Sequence, residues 1–330
     1  MMVYVSFRGR IWLQAEAANM VESVGNYVKH RRVPVLVKEG NSYLTFFVPA
    51  ISGESIAHSY QTLLSEELLK LGEEVCSFCR NGIFLKSTNA EVYKEAFNKE
   101  NVPEEIEKIE QSIVSECGVE DVGGFLYAEK QNVKRTSNFL VGYMIPVREA
   151  LKGVSIDPQL HSRYALGTKF VEVTERGAAG QMIYYVEISS AVFNFSFDLD
   201  TKFIGKYTFH FNRYGQSIIS SDKIKRRAIA ALNALQRLLV EFPVGAKRTR
   251  FNPSDVRWES LAMAISDDVW TMPSGFVQDY IDRGVLKMEK VNYNTTIYAY
   301  AEEKREKVKW YPTPEHAIID AINDAKGRAS

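Results

Sequence analysis

The period of the hydrophobic pattern changes at residue 52, and that change limits the chain to folds that set helices on a sheet. Tyr43 to Val48 is a β-type apolar run that ends at Pro49. After Ser52-Gly53, the residues Ile56, Tyr60, Leu63 and Leu64 fall on one helical face. Ser52 is a natural N-cap, and Ser55 lies three residues on, in the first turn. The first amides of such a helix have no partner within it, and the dipole there is positive. A strand–Ser-Gly–helix junction is therefore a ready anion site.

A second strong pattern lies at the N-terminus. Val3, Val5, Phe7, Ile11 and Leu13 face one way, while Tyr4, Ser6, Arg8, Arg10 and Trp12 face the other. The second face suits RNA, since aromatic rings stack on bases and arginines meet phosphates. It suits packing under another element equally well. The chain carries 41 basic and 41 acidic residues, a net charge of zero, which argues against a general nucleic-acid binder. The distribution is uneven, however. Cations cluster at Lys29 to Arg32, Lys134-Arg135, Lys223 to Arg227 and Lys247 to Arg250, and acidic residues gather between Glu91 and Glu120. A neutral chain segregated in this way can still carry a basic groove.

No apolar run approaches the roughly 20 residues of a membrane helix. The N-terminus lacks a signal-peptide layout, and three cysteines suggest no disulfide framework, so a reducing cytoplasm fits. Val33 to Lys38 and Ser42 to Val48 read as a hairpin, followed by a helix from Gly53 to about Leu71. Gln14 to Lys29 reads as a short helix and loop. Residues 72–120 read as an acidic helical insertion, with a helix start at Asn101 to Glu105. A strand is predicted from Phe139 to Ile145, then an irregular segment over 151–168. A hairpin follows, with its tip at Glu175 to Gly180 and a long strand from Gln181 to Phe197. Lys202 to Phe211 reads as a strand and Asp222 to Phe242 as an amphipathic helix. A helix over Ser274 to Asp282, strand content from Val285 to Ala301 and a helix from Pro314 to Ala325 complete the chain.

Catalytic and metal chemistry find little support. Cys76-x-x-Cys79 has zinc-like spacing, but only Cys117 remains and no second ligand pair is legible, so neither a zinc site nor any other metal or cofactor is expected. His58 and His161 are the residues a metal-free RNA cleavage reaction would use as base and acid, though nothing brings them together. Asp198-x-Asp200 reads as the start of a turn. No Walker loop, Rossmann fingerprint or nucleophile elbow is present.

The ordered set Asn19, Ser23-x-Gly25-Asn26, His30-Arg31, Val48-Pro49-x-Ile51-Ser52-Gly53-Glu54-x3-His58, Asp121-Val122-Gly123-Gly124-Phe125, Arg135-Thr136-Ser137, Gly142-Tyr143-Met144-Ile145-Pro146 and Gly245-x-Lys247-Arg248-x-Arg250-Phe251-x-Pro253 resembles a known family. It is the CRISPR-associated autoregulator (DevR-type) family in its archaeal type I-A form. The resemblance spans residues 3–265 and does not extend into the rest of the chain.

The resemblance implies an α+β fold: a ferredoxin-like (RRM-like) core with an inserted helical region and a protruding β-hairpin thumb. The core would comprise 1–71, 121–150 and 182–265, the helical insertion 72–120, the thumb 151–181 and a C-terminal α/β extension 266–330. It implies a non-catalytic, crRNA-binding backbone subunit of the type I Cascade surveillance complex, polymerising head-to-tail on the guide and presenting it for antiviral defence. The implied partners are crRNA, further copies of the chain, other Cascade subunits including the 5′-end capping and small subunits, and the target DNA strand; no membrane is involved. By the same resemblance, Asn19, Ser23, Asn26, His30 and Arg31 contact the crRNA backbone. Ser52, Gly53, Ser55 and His58 form a phosphate site. Arg135, Ser137, Lys247 and Arg248 add phosphate contacts, and His161 holds a functional position before the thumb. Classical RRM aromatics are lacking on a central strand, so backbone recognition is expected, as suits any guide. The rival readings are a metal-free endoribonuclease processing CRISPR RNA through His58 and His161, and a duplex-DNA-binding autoregulator.

Overall fold

The N-terminal alternation becomes the central strand of a ten-stranded sheet. The computed structural model describes residues 2–162, 173–174, 177–178, 183–244 and 255–329. Strand β1 (Tyr4–Glu16) leads into β2 (Met20–Val24) and β3 (Tyr27–His30), then the hairpin β4 (Arg32–Glu39) and β5 (Ser42–Pro49). Helix α1 (Gly53–Lys70) starts at the Ser-Gly turn. Helices α2 (Ser77–Arg80), α3 (Ala90–Phe97), α4 (Ile106–Glu116) and α5 (Gly118–Gly123) follow, then the hairpin β6 (Phe125–Ala128) and β7 (Asn132–Arg135). Strands β8 (Phe139–Val141), β9 (Ile145–Pro146), β10 (Ser155–Ser162), β11 (Val173–Thr174), β12 (Gly177–Ala178) and β13 (Ile183–Asp200) precede α6 (Ser221–Glu241). The chain continues with β14 (Asp255–Ser266), α7 (Tyr280–Lys290), β15 (Thr295–Tyr300), β16 (Lys309–Tyr311) and α8 (Pro314–Ala329).

β1 pairs antiparallel with β13 on one side and β14 on the other, so Phe7 sits opposite Phe197 and Met263. β8 and β9 pair with the far edge of β13. Helix α1 connects the β1 side of the sheet to β8, and α6 connects β13 to β14. The result is a mixed α+β architecture. Val5, Phe7, Ile11 and Leu13 meet Ile56, Tyr60 and Leu64 of α1, Leu232, Leu235 and Leu239 of α6 and Ile318 and Ile322 of α8 in one core. Each such aliphatic or aromatic side chain contributes about 1.5–3 kcal/mol when fully buried.

The opposite face of β1 is also covered, so of its two readings packing under another element holds, and not an open arginine and aromatic surface. Arg8 pairs with Asp198 at 2.7 Å, and Arg10 bridges Glu259 at 2.8 Å and Glu149 at 3.0 Å. Met272 donates its amide to Ser6 Oγ at 2.9 Å, and Trp270, Met272 and Tyr280 form a second core with Ala262, Ala264 and Ile297. The segment after residue 266 therefore completes the sheet's burial. Only Trp12 stays partly open, with the Arg257 guanidinium 5.4 Å from its ring centroid.

The hairpin at 33–48 and the helices from Gly53 and from residue 221 lie where their patterns place them. Four stretches differ. Gln14 to Lys29 forms strand rather than helix, because β3 gains backbone partners from both β2 and β13. Residues 155–162, expected to be irregular, form an antiparallel partner of β13. Residues 202–211, expected to be a strand, form turns whose amides go to carboxylates: Gly205 to Asp121 at 2.9 Å and Thr208 to Glu110 at 2.8 Å. The helix expected over 274–282 begins only at Tyr280 and runs on to Lys290, through the first part of the stretch from Val285 expected to hold strand.

Candidate nucleic-acid interface

Three sequence motifs far apart in the chain meet at the start of α1. Ile51 and Met144 exchange backbone hydrogen bonds of 3.1 and 2.9 Å, which bring the Gly142 segment against the Ser-Gly turn. Gly53 is required there, since a Cβ would lie 2.8 Å from the Val141 carbonyl oxygen. Asn19 closes the cluster from the other side. Its Oδ1 accepts both the Ser52 amide at 2.9 Å and the Arg31 Nε at 3.0 Å, while its own carbonyl accepts the Arg31 amide at 2.8 Å. Ser52 caps the helix as expected, its hydroxyl accepting the Ser55 amide at 3.3 Å.

This arrangement fixes a cation beside a helix N-terminus. Arg31 is half-buried and makes no ion pair with a carboxylate among the described residues, so its charge is held in place by an amide oxygen alone. An anion reaching this point would meet both the guanidinium and the positive helix end. A depression of about 760 Å³ opens beside it, lined by Val24, Tyr27, Lys29, His30, Arg31 and Arg32. Among the described residues its lining carries one carboxylate, Glu187, which is occupied. It accepts the Arg32 guanidinium at 2.7 Å, the Tyr27 hydroxyl at 2.9 Å and the His30 amide at 2.8 Å. Sequence reading missed Glu187, and no local signal marks it, because its partners lie in strands distant in the chain.

The remaining candidates divide. Ser23 and Asn26 are exposed in the β2–β3 hairpin at the rim, and Asn26 accepts the Tyr185 amide at 2.8 Å through its carbonyl. His30 is buried, with one ring nitrogen 3.1 Å from Ser189 Oγ and the other 3.0 Å from the Arg31 carbonyl. Burial lowers its pKa below the ordinary imidazole value. It positions the Arg31 backbone. His58 is exposed and packs edge-on to Phe84, with centroids 5.1 Å apart. His161 stacks on Tyr184, with centroids 5.2 Å apart. Ser137 turns inward to its neighbour, donating to the Phe139 carbonyl at 2.8 Å. Lys247 and Arg248, and most of the expected hairpin tip at 175–180, lie outside the described residues.

Arg135 is corrected outright. Its side chain is 0% exposed and cannot reach a phosphate. It pairs with Asp121 and donates to the Lys206 and Phe203 carbonyls at 2.7 Å each. Arg227, also fully buried, takes the other Asp121 oxygen at 2.9 Å and Glu73 at 2.9 Å. These arginines tie the segment between α1 and β6 to α6 and to the turns after β13. They are scaffold, not interface. The ground for discounting the Cys76–Cys79 pair also fails, because Cys117 and Glu120 lie against it.

The fold resembles solved structures with which it shares little sequence. A chain of a "CRISPR RNA-guided surveillance complex, pre-nicking" aligns over 98% of this chain and 100% of its own length, with a TM-score of 0.52 and 11% identity. A chain of a second CRISPR RNA-guided surveillance complex aligns with a TM-score of 0.50. The class is therefore a mixed α+β fold shared with proteins of those assemblies. Closer kinship comes from sequence. The family described as "CRISPR-associated negative auto-regulator DevR/Csa2" matches residues 7–285. A protein of Saccharolobus solfataricus, "CRISPR-associated protein Cas7/Csa2 1", is 35% identical over 98% of this chain and 96% of its own. A second protein of that organism, "CRISPR-associated aCascade subunit Cas7/Csa2 2", is 35% identical over 85% of each chain. "CRISPR-associated protein Cas7/Cst2/DevR" of Methanocaldococcus jannaschii is 26% identical over 85% of this chain and 87% of its own. The chain belongs to the DevR/Csa2 family of CRISPR-associated proteins.

Proposed function

We propose that this chain is a non-catalytic backbone subunit of a type I Cascade complex that binds the crRNA along its phosphates. The observation that carries the proposal is the Asn19–Arg31–Ser52 cluster, an anchored guanidinium without a carboxylate partner among the described residues, at a helix N-terminus. Full-length relatives named as a Cascade subunit and as Cas7 proteins support the same reading. The order β14-β1-β13-β8, with α1 and α6 as crossovers, supports a ferredoxin-like (RRM-like) core.

In this reading 1–71, 121–150 and 182–265 form that core, 72–120 is a helical insertion and 151–181 is a thumb that reaches a neighbouring copy. Copies assemble head-to-tail on the guide in the cytoplasm, with the 5′-end capping and small subunits, and present the guide to the target DNA strand. Arg31, the Ser52–Gly53–Ser55 turn, Ser23, Asn26 and the groove beside them hold phosphates, so sequence is read by pairing and not by the protein. His58 and His161 are rim contacts, and Lys247 and Arg248 add phosphate contacts. His58 and His161 each have a ring partner of their own, Phe84 and Tyr184, which favours a contact role over acid–base cleavage. The test is gel filtration with and without single-stranded RNA, followed by nuclease protection. Protected lengths in multiples of a fixed step support the filament; a single 1:1 complex, or preference for duplex DNA in competition, overturns it.

A further inference from the structure

We propose that the helical segment between β5 and β6 holds a structural zinc ion, bound by Cys76, Cys79, Cys117 and Glu120. One ligand atom from each of these residues lies within 4.8 Å of the others, and all four residues are buried. Around zinc, sulfurs at about 2.3 Å would stand about 3.8 Å apart at tetrahedral corners. The Cys76 Sγ to Glu120 Oε1 separation is 3.7 Å.

The backbone presents the four groups as two matching pairs. Cys76 is the N-cap of α2, and Cys79 lies three residues later. Cys117 is the N-cap of α5, and Glu120 lies three residues later. Each pair thus occupies the cap and third positions of a helical turn, where both side chains project to one side. Neither cap cysteine makes a side-chain capping hydrogen bond, although the position favours Ser, Thr, Asp or Asn. A role in ligation accounts for cysteine there.

A second observation points to a ligand. Glu120 Oε2 is buried and has no hydrogen-bond partner among the described residues, while Oε1 accepts the Ser87 hydroxyl at 3.0 Å. Oε1 thus faces Ser87 and the Cys76 sulfur, which orient the carboxylate within the cluster, and Oε2 is left for a metal, a pattern in which outer groups fix the ligand. Four anionic ligands around a dication leave two negative charges. The half-buried Lys86 ammonium, held by the Gly123 and Gly124 carbonyls at 3.1 and 3.0 Å, interacts electrostatically with all four ligands and offsets one. Three thiolates and a carboxylate in a closed, buried setting select zinc over magnesium or calcium. The ion would staple α2 to the α4–α5 junction.

The proposal is independent of RNA binding, and its test is metal analysis of the full-length protein purified without chelator. About one zinc per chain is expected. Cobalt added to the reduced, metal-stripped protein is expected to give thiolate-to-cobalt charge-transfer absorption and tetrahedral d–d bands. Cys117→Ser is expected to lose the metal, and Glu120→Cys is expected to retain it with stronger charge-transfer absorption. Wild-type protein that is folded yet carries no zinc and shows no cobalt bands overturns the site, whatever the fate of the variants.

Discussion

Arg31 and Arg135 look alike in the sequence: each sits in a short basic cluster beside a β-type run, and each belongs to a motif shared with the same family. The fold treats them in opposite ways. Arg31 faces a groove whose only lining carboxylate among the described residues is already taken by Arg32 and Tyr27, and an asparagine oxygen holds it. Arg135 is sealed between Asp121, Glu110 and three backbone carbonyls. The difference teaches that a cation stays available to an outside anion when the fold leaves it without a carboxylate, and becomes a scaffold residue when distant carboxylates converge on it. Local charge patterning cannot separate the two, because Glu110 and Asp121 reach Arg135 only through the packing of α4 and α5.

The contrast can be broken most forcefully at the buried end. Arg135→Met is expected to cost about 3–5 kcal/mol, since it leaves Glu110 buried without its cation, takes one of Asp121's two and strands three backbone carbonyls. Thermal or urea unfolding checks this, and a change near zero would show the arginine to be dispensable scaffold. Gly53→Ala sits at the seam between scaffold and groove. Pushing α1 off the Val141 carbonyl is expected to cost about 1–3 kcal/mol and to weaken RNA binding as well. Arg31→Ala is expected to leave the unfolding midpoint within about 0.5 kcal/mol of wild type while weakening every guide alike.

The smallest effect concerns His30. Its folded pKa is lowered by burial, so its contribution to stability is fully present above the ordinary value of 6.5. That contribution is lost as pH falls through 6.5 toward the lowered value, because the unfolded chain then binds the proton more readily. Stability should therefore fall as the pH drops below 6.5, and His30→Gln should flatten part of that fall in paired melts.

Much of the scaffold was legible because its patterns are long. The alternation from Val3 to Leu13, the hairpin around Gly40 and the helices from Gly53 and Ser221 each carry their own periodic signal. The failures share a cause: partners distant in sequence. β10 contains Pro158 and is a strand only because β13 pairs with it. The turns at 202–211 are shaped by Glu110 and Asp121, which accept their amides. Arg8 and Arg10 alternate with the core residues of β1 in a way that suggests exposure, until Trp270, Met272 and Tyr280 cover that face. At the candidate site, Ser52, Gly53 and Asn19 were legible through capping and through family resemblance, while Glu187 was invisible. A Cys-x-x-Cys pair announces itself, but Cys117-x-x-Glu120 does not, because a lone carboxylate ligand has no spacing signature.

The central claim is that Arg31, and not Arg135, supplies a phosphate-binding charge. It is tested most directly by the salt dependence of single-stranded RNA binding, measured for wild type and Arg31→Ala on several unrelated sequences. The account predicts weaker binding of every sequence by Arg31→Ala, with the slope of log K against log salt shallower by about 0.7. An unchanged slope, or a loss confined to particular sequences, would contradict it.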